Sequence, residues 1–550
     1  MLTDAIGHLK RHAKRVGEVA SVLVKYGLAD WLTWLKVDWI QNRLRSSDGS
    51  RLHDHSFEAR VRLALMELGT TYTKLGQVLS TRPDVVGPAL AEELSHLQAN
   101  TLADAPAVAR AALIAELGGP PEELFASFES EAFASASIAQ VHRATLHSGE
   151  TVVLKLMRAG VKQQAETDLE ILAVLAHLLE ERTTLLRPYQ PTKLVREFQH
   201  TLRNELRFTH ERRNLEQFAK AFAGDPTVRF PKVYGEFCTE RVLTMQYLDG
   251  VSAADADAVR ATGIAPSEFA RRGANVYLEM IFRDGFYHAD PHPGNLLVLG
   301  DGRVGVLDCG MVGRVDDELR ANVEAMLLAA VERDGRELCE MVFRIATVPA
   351  NIDRRALQDE IEEFLGDYVQ RDLADLEVGT ALRRLFGIIR RYQIALPSKL
   401  SLLLRTIIVL EGTSRALDRD FSIAELFVPF YRRAVRRRFA PRRIWRRVMR
   451  SGRDWERLLV ELPNDLQQLL EQLRAGTLRV QFEHRKIEAS VNRLTLAMLV
   501  ASLILASSAL WASSAPPRIG EVSLLGLLGY LLAAWLGFRL WRGASKHVDR

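Results

Sequence analysis

The chain has 550 residues, which is too long for one ordinary domain, and its 47% hydrophobic and 26% charged content is that of a protein able to build hydrophobic cores. The net charge is +4 and the pI is about 8.9, but the uneven placement of the basic residues matters more than this total. The three cysteines lack paired spacing, which argues against a disulfide framework or a zinc site and favours a reducing compartment.

Residues 1–124 are predicted to form an N-terminal helical extension. Apolar residues recur at three- and four-residue spacing, as at Val61, Leu65 and Leu68, which is typical of helices. Near the start, basic residues precede an apolar run that charged residues interrupt, and no small-residue cleavage site follows. This pattern argues against a signal peptide. It favours an amphipathic helix packed on the body of the protein over one lying on a membrane surface.

Residues 125–249 are predicted to form a small β-rich lobe, and residues 250–425 a larger, mostly helical lobe. In the small lobe, strands are predicted at 151–156, 233–237 and 242–247, and helices at 163–181 and 192–220. In the large lobe, two short apolar runs at 296–299 and 304–307 interrupt the helical pattern. A hinge near 245–250 would join the two lobes.

The C-terminal part is predicted to meet a membrane. Residues 426–492 form a basic segment rich in arginine, for which anionic lipid is favoured over nucleic acid as the partner. Within residues 493–541, the uncharged runs 494–512 and 522–538 lie near the ~17–25 residues needed to cross a bilayer. Positive charges flank the outer ends of both runs, which predicts a multi-pass membrane protein with both outer ends, and the large soluble part, in the cytoplasm.

Two motifs carry the chemistry. Residues 288–295 read His-Ala-Asp-Pro-His-Pro-Gly-Asn, and residues 307–310 read Leu-Asp-Cys-Gly. Protein kinases place a catalytic Asp, an Asn five residues later and then a metal-binding Asp that opens a turn. We therefore predict that Asp290 faces the acceptor hydroxyl or the γ-phosphate of ATP, and that Asn295 and Asp308 bind Mg²⁺. With the two lobes, this spacing predicts an α+β, bilobal protein-kinase-like fold.

His288 and His292 also stand in this motif, four residues apart. They would share a face only on a helix, and the prolines between and after them prevent that helix. His288 is therefore predicted to brace the loop backbone, and the two histidines are not predicted as a metal site.

Lys155, at the end of Val-Val-Leu-Lys, matches the strand lysine that contacts nucleotide phosphates in kinases. Such a lysine needs a carboxylate partner, and the sequence offers both Glu205 and Glu211. Gln246 and Leu248 fall where a hinge would offer backbone groups to adenine.

The predicted loop over the phosphates lacks the glycines that kinases use there. Alanine carries a Cβ and does not adopt positive φ freely. We therefore expect the loop to bind the nucleotide differently from the glycine-rich loop of protein kinases, and we expect little ordinary protein phosphorylation. The residues of this predicted phosphate loop are Ala134, Ser135, Ala136, Ser137, Ile138 and Ala139.

Residues 73–77 (Thr-Lys-Leu-Gly-Gln) and 80–84 (Ser-Thr-Arg-Pro-Asp) resemble the Lys-x-Gly-Gln signature of the UbiB family, atypical kinase-like proteins linked to ubiquinone biosynthesis. The alanine-rich loop, the 288–295 motif and the paired C-terminal runs resemble the bacterial form of that family, which implies that the membrane is the bacterial inner membrane. The resemblance covers nearly the whole chain. It implies that the extension folds over the site, with Lys74 and Gln77 where a protein substrate would bind. It also implies lipid-stimulated ATP hydrolysis.

The sequence departs from the family pattern at two positions. Arg207 stands where the family's Glu-x-Asp has aspartate, which puts a contact to Lys74 or a metal in doubt. Cys309 stands where phenylalanine is usual, so the packing of that turn is expected to differ. In addition, no Ala-Pro-Glu follows Gly310, and the residues from Asp316 onward are predicted to be helical. The long activation segment that receives protein substrates is therefore expected to be missing.

The leading hypothesis is a membrane-anchored UbiB-type ATPase that supports ubiquinone biosynthesis, with quinone precursors and their enzymes as partners. The resemblance implies ATP and Mg²⁺ as cofactors. Two alternatives stay open: a kinase of small molecules or lipids, and a non-catalytic scaffold that binds nucleotide. The sequence is compatible with a homodimer and does not decide the oligomeric state.

Overall fold

The computed structural model describes residues 12–28, 55–97, 102–182, 189–332, 334–349, 351–369, 377–438, 487–513, 517–519 and 522–545. The chain divides into two compact units, Met1–Ala440 and Pro441–Arg550. The finer domain bounds expected from the sequence stay predictions, and most of the basic segment predicted at 426–492 lies outside the described residues.

The first unit contains the two lobes and the extension. Its helices are α1 Ala13–Lys25, α2 Phe57–Leu68, α3 Thr70–Ser80, α4 Pro83–Val86, α5 Pro88–Ser95, α6 Pro106–Leu117, α7 Pro121–Leu124, α8 Val161–Arg182, α9 Pro191–Glu205, α10 Phe208–Ala221, α11 Ala256–Ala261, α12 Pro266–Glu279, α13 Asp317–Glu332, α14 Gly335–Ile345, α15 Arg354–Val369, α16 Val378–Arg391, α17 Ser398–Leu417 and α18 Ile423–Arg438. Its strands are β1 Ser127–Phe128, β2 Ala134–Ser135, β3 Ala139–Thr145, β4 Thr151–Met157, β5 Val228–Arg229, β6 Val242–Gln246, β7 Gly250–Ser252, β8 Phe286–His288, β9 Leu296–Leu299, β10 Val304–Val306 and β11 Val312–Arg314. Short turns of 3₁₀-helix (Gly235–Phe237, Pro293–Asn295) and π-helix (Met280–Asp284) complete it.

The N-terminal extension is helical, as the sequence predicts. Ser56 caps α2 by accepting a hydrogen bond from the Ala59 amide at 3.2 Å. Helix α2 ends at Gly69, whose φ of 96° lets α3 begin at the next residue. Pro83 and Pro88 start α4 and α5, where the missing amide hydrogen costs no helical hydrogen bond. These closely spaced ends fold the extension back on itself.

Helix α1 packs on the body of the protein, which confirms that prediction. Val16 and Ala20 of α1 are buried in one cluster with Ile171 and Leu178 of α8. The apolar face of this amphipathic helix is therefore covered by protein.

The small lobe is built on an antiparallel sheet in the order β1-β3-β4-β6, with β2 also paired to β3. In the centre, Val153 of β4 lies opposite Arg143 of β3 and Met245 of β6. The strands predicted at 151–156 and 242–247 are confirmed, and β4 carries Lys155 through the middle of the sheet.

The prediction of a strand at 233–237 is wrong for Gly235–Phe237. Val233 makes a bridge to Met245, and the residues after Tyr234 form the 3₁₀ turn instead of continuing the sheet. The Phe237 amide donates to the Tyr234 carbonyl at 3.1 Å, so the backbone closes on itself rather than pairing with β6.

The single helix predicted at 192–220 is broken into α9 and α10. At Arg207 the backbone is extended, with φ −134° and ψ 99°. The Phe208 amide donates to the Glu240 carbonyl at 2.9 Å, and the Phe208 side chain is buried in the main core. Burying this ring turns the chain. As a result, Glu205 ends one helix while Glu211 lies in the first turn of the next.

The large lobe confirms the bilobal α+β plan. The two apolar runs predicted as a hairpin form the antiparallel pair β9–β10, inside a sheet ordered β5-β10-β9-β7. Strand β8 pairs with β11, with His288 opposite Val312. Helix α17 is hydrogen-bonded to the loop that follows β8. The Thr406 hydroxyl donates to the Ala289 carbonyl at 3.2 Å, and the Thr413 hydroxyl donates to the Pro291 carbonyl at 2.8 Å.

The second unit is a helical hairpin. Helices α19 Ile487–Ala512 and α20 Leu524–Ser545 flank the strands β12 Arg518–Ile519 and β13 Val522–Ser523. Across the described part of the chain, no helix combines the length and the apolar composition that crossing a membrane requires. The two membrane spans predicted at 494–512 and 522–538 are therefore not supported.

A buried ion pair ties the extension to the large lobe. Asp84 is fully buried and accepts hydrogen bonds from Arg82 at 3.0 and 2.8 Å. Asp84 also accepts from the Leu396 amide, and Arg82 donates to the Leu396 carbonyl, each at 3.2 Å. The segment that follows α3 is thereby fixed to the residues just before α17.

We expect Asp84→Ala to destabilise the protein by about 3–5 kcal/mol, because it leaves the Arg82 guanidinium buried without its partner. The measurement is the urea midpoint of unfolding of the full chain. Glu122→Ala is the matched control, since it removes the acidic partner of an arginine from an exposed pair. A midpoint for Asp84→Ala equal to that of the control would contradict the assignment.

Candidate nucleotide and metal site

The loop that carries Asp290 follows strand β8. The fully buried His288 accepts a hydrogen bond at Nδ1 from the Asp290 amide at 3.1 Å. Its Nε2 donates to the Asp308 carbonyl at 2.9 Å. His288 therefore braces the backbone, as predicted, and joins the Asp290 loop to the Asp308 turn.

Asn295 lies at the end of a 3₁₀ turn in the same loop. Its side-chain amide donates to the Asp290 carbonyl at 3.1 Å and approaches the Asp290 carboxylate at 3.3 Å. The Asn295 carbonyl accepts from the Leu307 amide at 2.9 Å. The structure thus places Asn295 between Asp290 and the start of the Asp308 turn, as the sequence spacing predicts.

Asp308 has a φ of 45°, a conformation that residues other than glycine rarely adopt. Its carboxylate accepts from the Gly310 amide at 3.2 Å and from Lys155 at 3.2 Å. The side chain is 53% exposed, so it is accessible from outside the cluster. Backbone conformations of this kind cluster at functional sites, where surrounding contacts hold them.

Glu211 is the partner of Lys155. The Lys155 ammonium lies 2.8 and 2.9 Å from the two carboxylate oxygens of Glu211. Of the two acidic residues that the sequence offered, the structure brings Glu211 to Lys155 and Glu205 to a different lysine.

Burial and charge shift the protonation of this cluster. Burial raises the pKa of Glu211 to about 7, with attraction to Lys155 only partly offsetting it and the charge of Asp308 adding to it. The charge of Lys155 holds the pKa of Asp308 well below its ordinary value. Burial alone would lower the pKa of Lys155, but Asp308 and Glu211 raise it. Near neutral pH, Lys155 and Asp308 are charged and Glu211 titrates.

Lys74 reaches the same cluster from α3. Its ammonium lies 3.0 Å from the carboxylate of Glu205, and both side chains are mostly buried. Burial alone would lower the pKa of Lys74, but Glu205 and then Asp308 raise it. Arg207, which replaces the family's aspartate, is exposed at the helix break. The Lys74–Glu205 pair therefore forms without that aspartate.

Gln77 lies one turn further along α3. Its side-chain amide donates to the Leu97 carbonyl at 2.9 Å, which braces the extension internally. The resemblance implies that Gln77, a candidate catalytic residue, stands where a protein substrate would bind, and this role stays a prediction.

Cys309 is fully buried directly after Asp308. Its carbonyl accepts a hydrogen bond from the Asn214 side chain of α10 at 2.9 Å. The cysteine side chain is therefore buried in the core at the position where the family usually has phenylalanine. The hydrogen bond from Asn214 links the Asp308 turn to α10, the helix that carries Glu211.

The alanine-rich loop is a tight hairpin between β2 and β3. The Ala136 amide donates to the Ala139 carbonyl at 2.8 Å, so Ser137 and Ile138 form the tip. None of residues 134–139 has a positive φ, which is what a loop with a Cβ at every position requires. The loop that is predicted to cover the phosphates is therefore closed by a β-turn.

Gln246 and Leu248 stand where the chain leaves the small lobe. Gln246 ends β6, and its amide donates to the Lys232 carbonyl at 2.8 Å. Leu248 is buried just before β7. This is the connection between the lobes, and its contact with adenine stays a prediction.

Asn295 and Asp308 fit a Mg²⁺ site that nucleotide phosphates complete. Mg²⁺ prefers oxygen ligands and is commonly held by one or two protein carboxylates together with substrate phosphates. In the described ranges, no group of three or more His, Cys, Asp or Glu side chains is placed to hold a metal. The half-exposed carboxylate of Asp308 and the amide oxygen of Asn295 supply the hard donors that such a shared site needs.

Comparison with known proteins decides the family. The ABC1 atypical kinase-like domain matches residues 97–342, the UbiB helical domain residues 361–422, and the ABC1/UbiB kinase-like C-terminal domain residues 481–544. A probable protein kinase UbiB of Azotobacter vinelandii is 31% identical over 520 residues, covering 92% of this chain and 94% of the relative. The chain belongs to the UbiB/ABC1 family of atypical kinase-like proteins.

Two further similarities of this UbiB/ABC1 chain lie below 30% identity. An uncharacterized protein in the hydrogenase 1 5′ region of Clostridium pasteurianum is 27% identical over 487 residues, covering 87% of this chain and 92% of the relative. Among solved structures, the complex of Rv3197 with erythromycin from Mycobacterium tuberculosis has a TM-score of 0.46 and 23% identity, covering 60% of this chain and 84% of that one.

Two residues near the site of this UbiB/ABC1 protein were missed by sequence reasoning. Burial lowers the pKa of Arg405 and the charge of Asp290 opposes that shift, so the two side chains lie close enough to interact. Tyr277 is fully buried, its ring meets His288 edge-on at 5.8 Å, and its hydroxyl has no hydrogen-bond partner among the described residues. Arg405 lies on α17, remote in sequence from the loop, and Tyr277 lies on α12, shortly before the loop; no local motif marks either residue.

We expect the affinity for Mg·ATP to rise as pH increases through about 7, because Glu211 then loses its proton and holds Lys155 by charge. Equilibrium binding measured from pH 6 to 8.5 checks this. Since the nucleotide titrates in the same range, the informative quantity is the difference between the wild type and Glu211→Gln, whose profile should be flatter. Glu216→Gln, an exposed change on the same helix, should follow the wild type. Identical profiles for wild type and Glu211→Gln would contradict the assignment.

Proposed function

We propose that the protein is an atypical kinase-like ATPase that binds ATP with Mg²⁺ and supports ubiquinone biosynthesis. It would do so by acting on or organising quinone precursors and the enzymes that use them. The observation that carries the proposal is Lys155, held at 2.8 Å by Glu211 and at 3.2 Å from Asp308, beside the Asp290 loop. Membership of a kinase-like family supports an enzyme of this general kind.

In this proposal each charged residue has one task. Lys155 keeps Glu211 as its partner and exchanges Asp308 for phosphate oxygens of the nucleotide. Asp290 orients the attacking water or hydroxyl and accepts its proton. Bound Mg²⁺ would neutralise charge on the transferred phosphoryl group, with Asn295 and Asp308 as the protein ligands. With water as the acceptor, the products are ADP and inorganic phosphate.

Two features favour hydrolysis over phosphorylation of other proteins. Lys74 of the extension pairs with Glu205 of the small lobe and lies in the same charged cluster, where the family resemblance implies that a protein substrate would bind. The chain also passes from Gly310 through the short β11 directly into α13 at Asp317. Little chain is left to form a platform for a protein substrate.

We expect Asp308→Asn to lower Mg²⁺-dependent ATP hydrolysis roughly 100-fold or more, because it removes the anionic metal ligand. Release of inorganic phosphate by the purified full chain measures this. Asp301→Asn is the control, since Asp301 pairs with Arg303 at the exposed tip of the β9–β10 hairpin. Undiminished hydrolysis by Asp308→Asn would overturn the catalytic assignment.

Anionic lipid is the proposed activator, with the protein acting at the cytoplasmic side of a bacterial inner membrane. Large apolar side chains are exposed on the helical hairpin of the second unit, among them Leu505 at 72%, Leu531 at 61% and Trp535 at 58%. Exposed apolar surfaces of this kind mark interaction sites. Adding vesicles of anionic lipid to the same assay should raise turnover, whereas neutral vesicles should not.

A kinase of lipids or other small molecules is the second candidate, and the short connection from Gly310 to α13 favours it equally. Incubation with labelled ATP and a membrane extract separates the two. A labelled lipid product identifies a kinase, and release of phosphate alone identifies an ATPase.

A further inference from the structure

The first residue of α3 touches the tip of the phosphate loop. The Thr70 hydroxyl donates to the Ser137 carbonyl at 2.9 Å, a contact between residues 67 positions apart. Thr70 can reach this carbonyl because Gly69, with its positive φ, turns the chain sharply between α2 and α3. The extension is therefore bonded to the loop that is predicted to cover the nucleotide.

The tip of the loop is held from other directions as well. The Arg158 guanidinium donates to the same Ser137 carbonyl at 3.3 Å, and the Arg158 amide donates to the Ile138 carbonyl at 2.9 Å. The Ile138 side chain is buried in the main core, in the same cluster as Leu68 and Tyr72 of the extension. Both tip residues are thus fixed at their backbone.

We propose that Thr70 is a positioning residue of the nucleotide site, which fixes the Ser137–Ile138 tip so that the loop is ready to bind the phosphates of a nucleoside triphosphate. The inference rests on the proposed ATP-binding function. A loop that is ordered before binding loses less backbone freedom when the phosphates arrive, so its affinity for them is higher. The ordered loop occurs together with a formed Lys155–Glu211 pair, which is the arrangement that phosphate binding needs.

The same helix face holds the second lysine. Thr70 and Lys74 are four residues apart on α3 and therefore project to the same side. One residue binds the loop tip of the small lobe and the other binds Glu205. A shift of α3 that separates Lys74 from Glu205 would also break the hydrogen bond to the loop tip. The position of the extension would therefore affect the affinity for the nucleotide phosphates.

Equilibrium binding of Mg·ATP and of adenosine to the full chain tests the inference. Thr70→Val removes the hydroxyl with little change of volume and should weaken Mg·ATP binding roughly three- to tenfold, as expected for one lost hydrogen bond. Adenosine has no phosphates, so its affinity should not change. Thr70→Ser keeps the hydroxyl and should bind Mg·ATP within about twofold of the wild type.

The controls distinguish positioning from a general structural effect. Thr167→Val removes a hydroxyl that bonds only within α8, to the Gln163 carbonyl, and should bind both ligands as the wild type does. If Thr70→Val does not fold, Thr70→Ala takes its place and should show the loss expected of the valine variant. Unchanged or tighter Mg·ATP binding by Thr70→Val or Thr70→Ala, or an equal loss of adenosine binding, would overturn the inference. A wild-type protein that binds neither ligand would overturn the proposed function and the inference with it.

Discussion

The structure around the site depends on how one mostly buried lysine is neutralised. An ammonium group withdrawn from water is stable only beside carboxylates, and Lys155 has Glu211 at 2.8 Å and Asp308 at 3.2 Å. This requirement fixes three elements relative to each other: the central strand of the small lobe, helix α10 and the turn that follows β10. The strained backbone of Asp308 is maintained by the same contacts, together with the hydrogen bond from His288.

The N-terminal extension adds a second layer to this arrangement. Lys74 pairs with Glu205, Thr70 bonds the tip of the phosphate loop, and Asp84 is buried against the residues before α17. One short stretch of chain thus contacts the small lobe at two points and the large lobe at a third. The extension is therefore part of the structure around the candidate site.

The local part of the site could be predicted from sequence, and the part that depends on tertiary packing could not. Asp290, Asn295 and Asp308 are joined by a short loop and a hairpin, so their spacing along the chain nearly determines their positions. The partner of Lys155 stayed open, because the choice depends on a helix break at Arg207 that burial of the Phe208 ring imposes. No periodicity signals such a break.

Other differences have the same origin. Residues 233–237 are predicted as a strand, but local hydrogen bonds close Gly235–Phe237 into a 3₁₀ turn. Arg405 and Thr70 reach the site from helices that are remote in sequence, and neither belongs to a motif. The apolar runs near the C-terminus correctly predict helices, while their assignment as membrane spans is not supported in the part of the chain that the structure describes.

A crystal structure of the full chain with Mn²⁺ and a non-hydrolysable ATP analogue tests the metal and nucleotide assignment most directly. Anomalous scattering should locate Mn²⁺ about 2 Å from a carboxylate oxygen of Asp308 and from the side-chain oxygen of Asn295. Lys155 should still pair with Glu211 and should have moved from Asp308 to a phosphate oxygen. Manganese bound away from Asp308, or a nucleotide bound outside the space between the two lobes, would contradict the assignment.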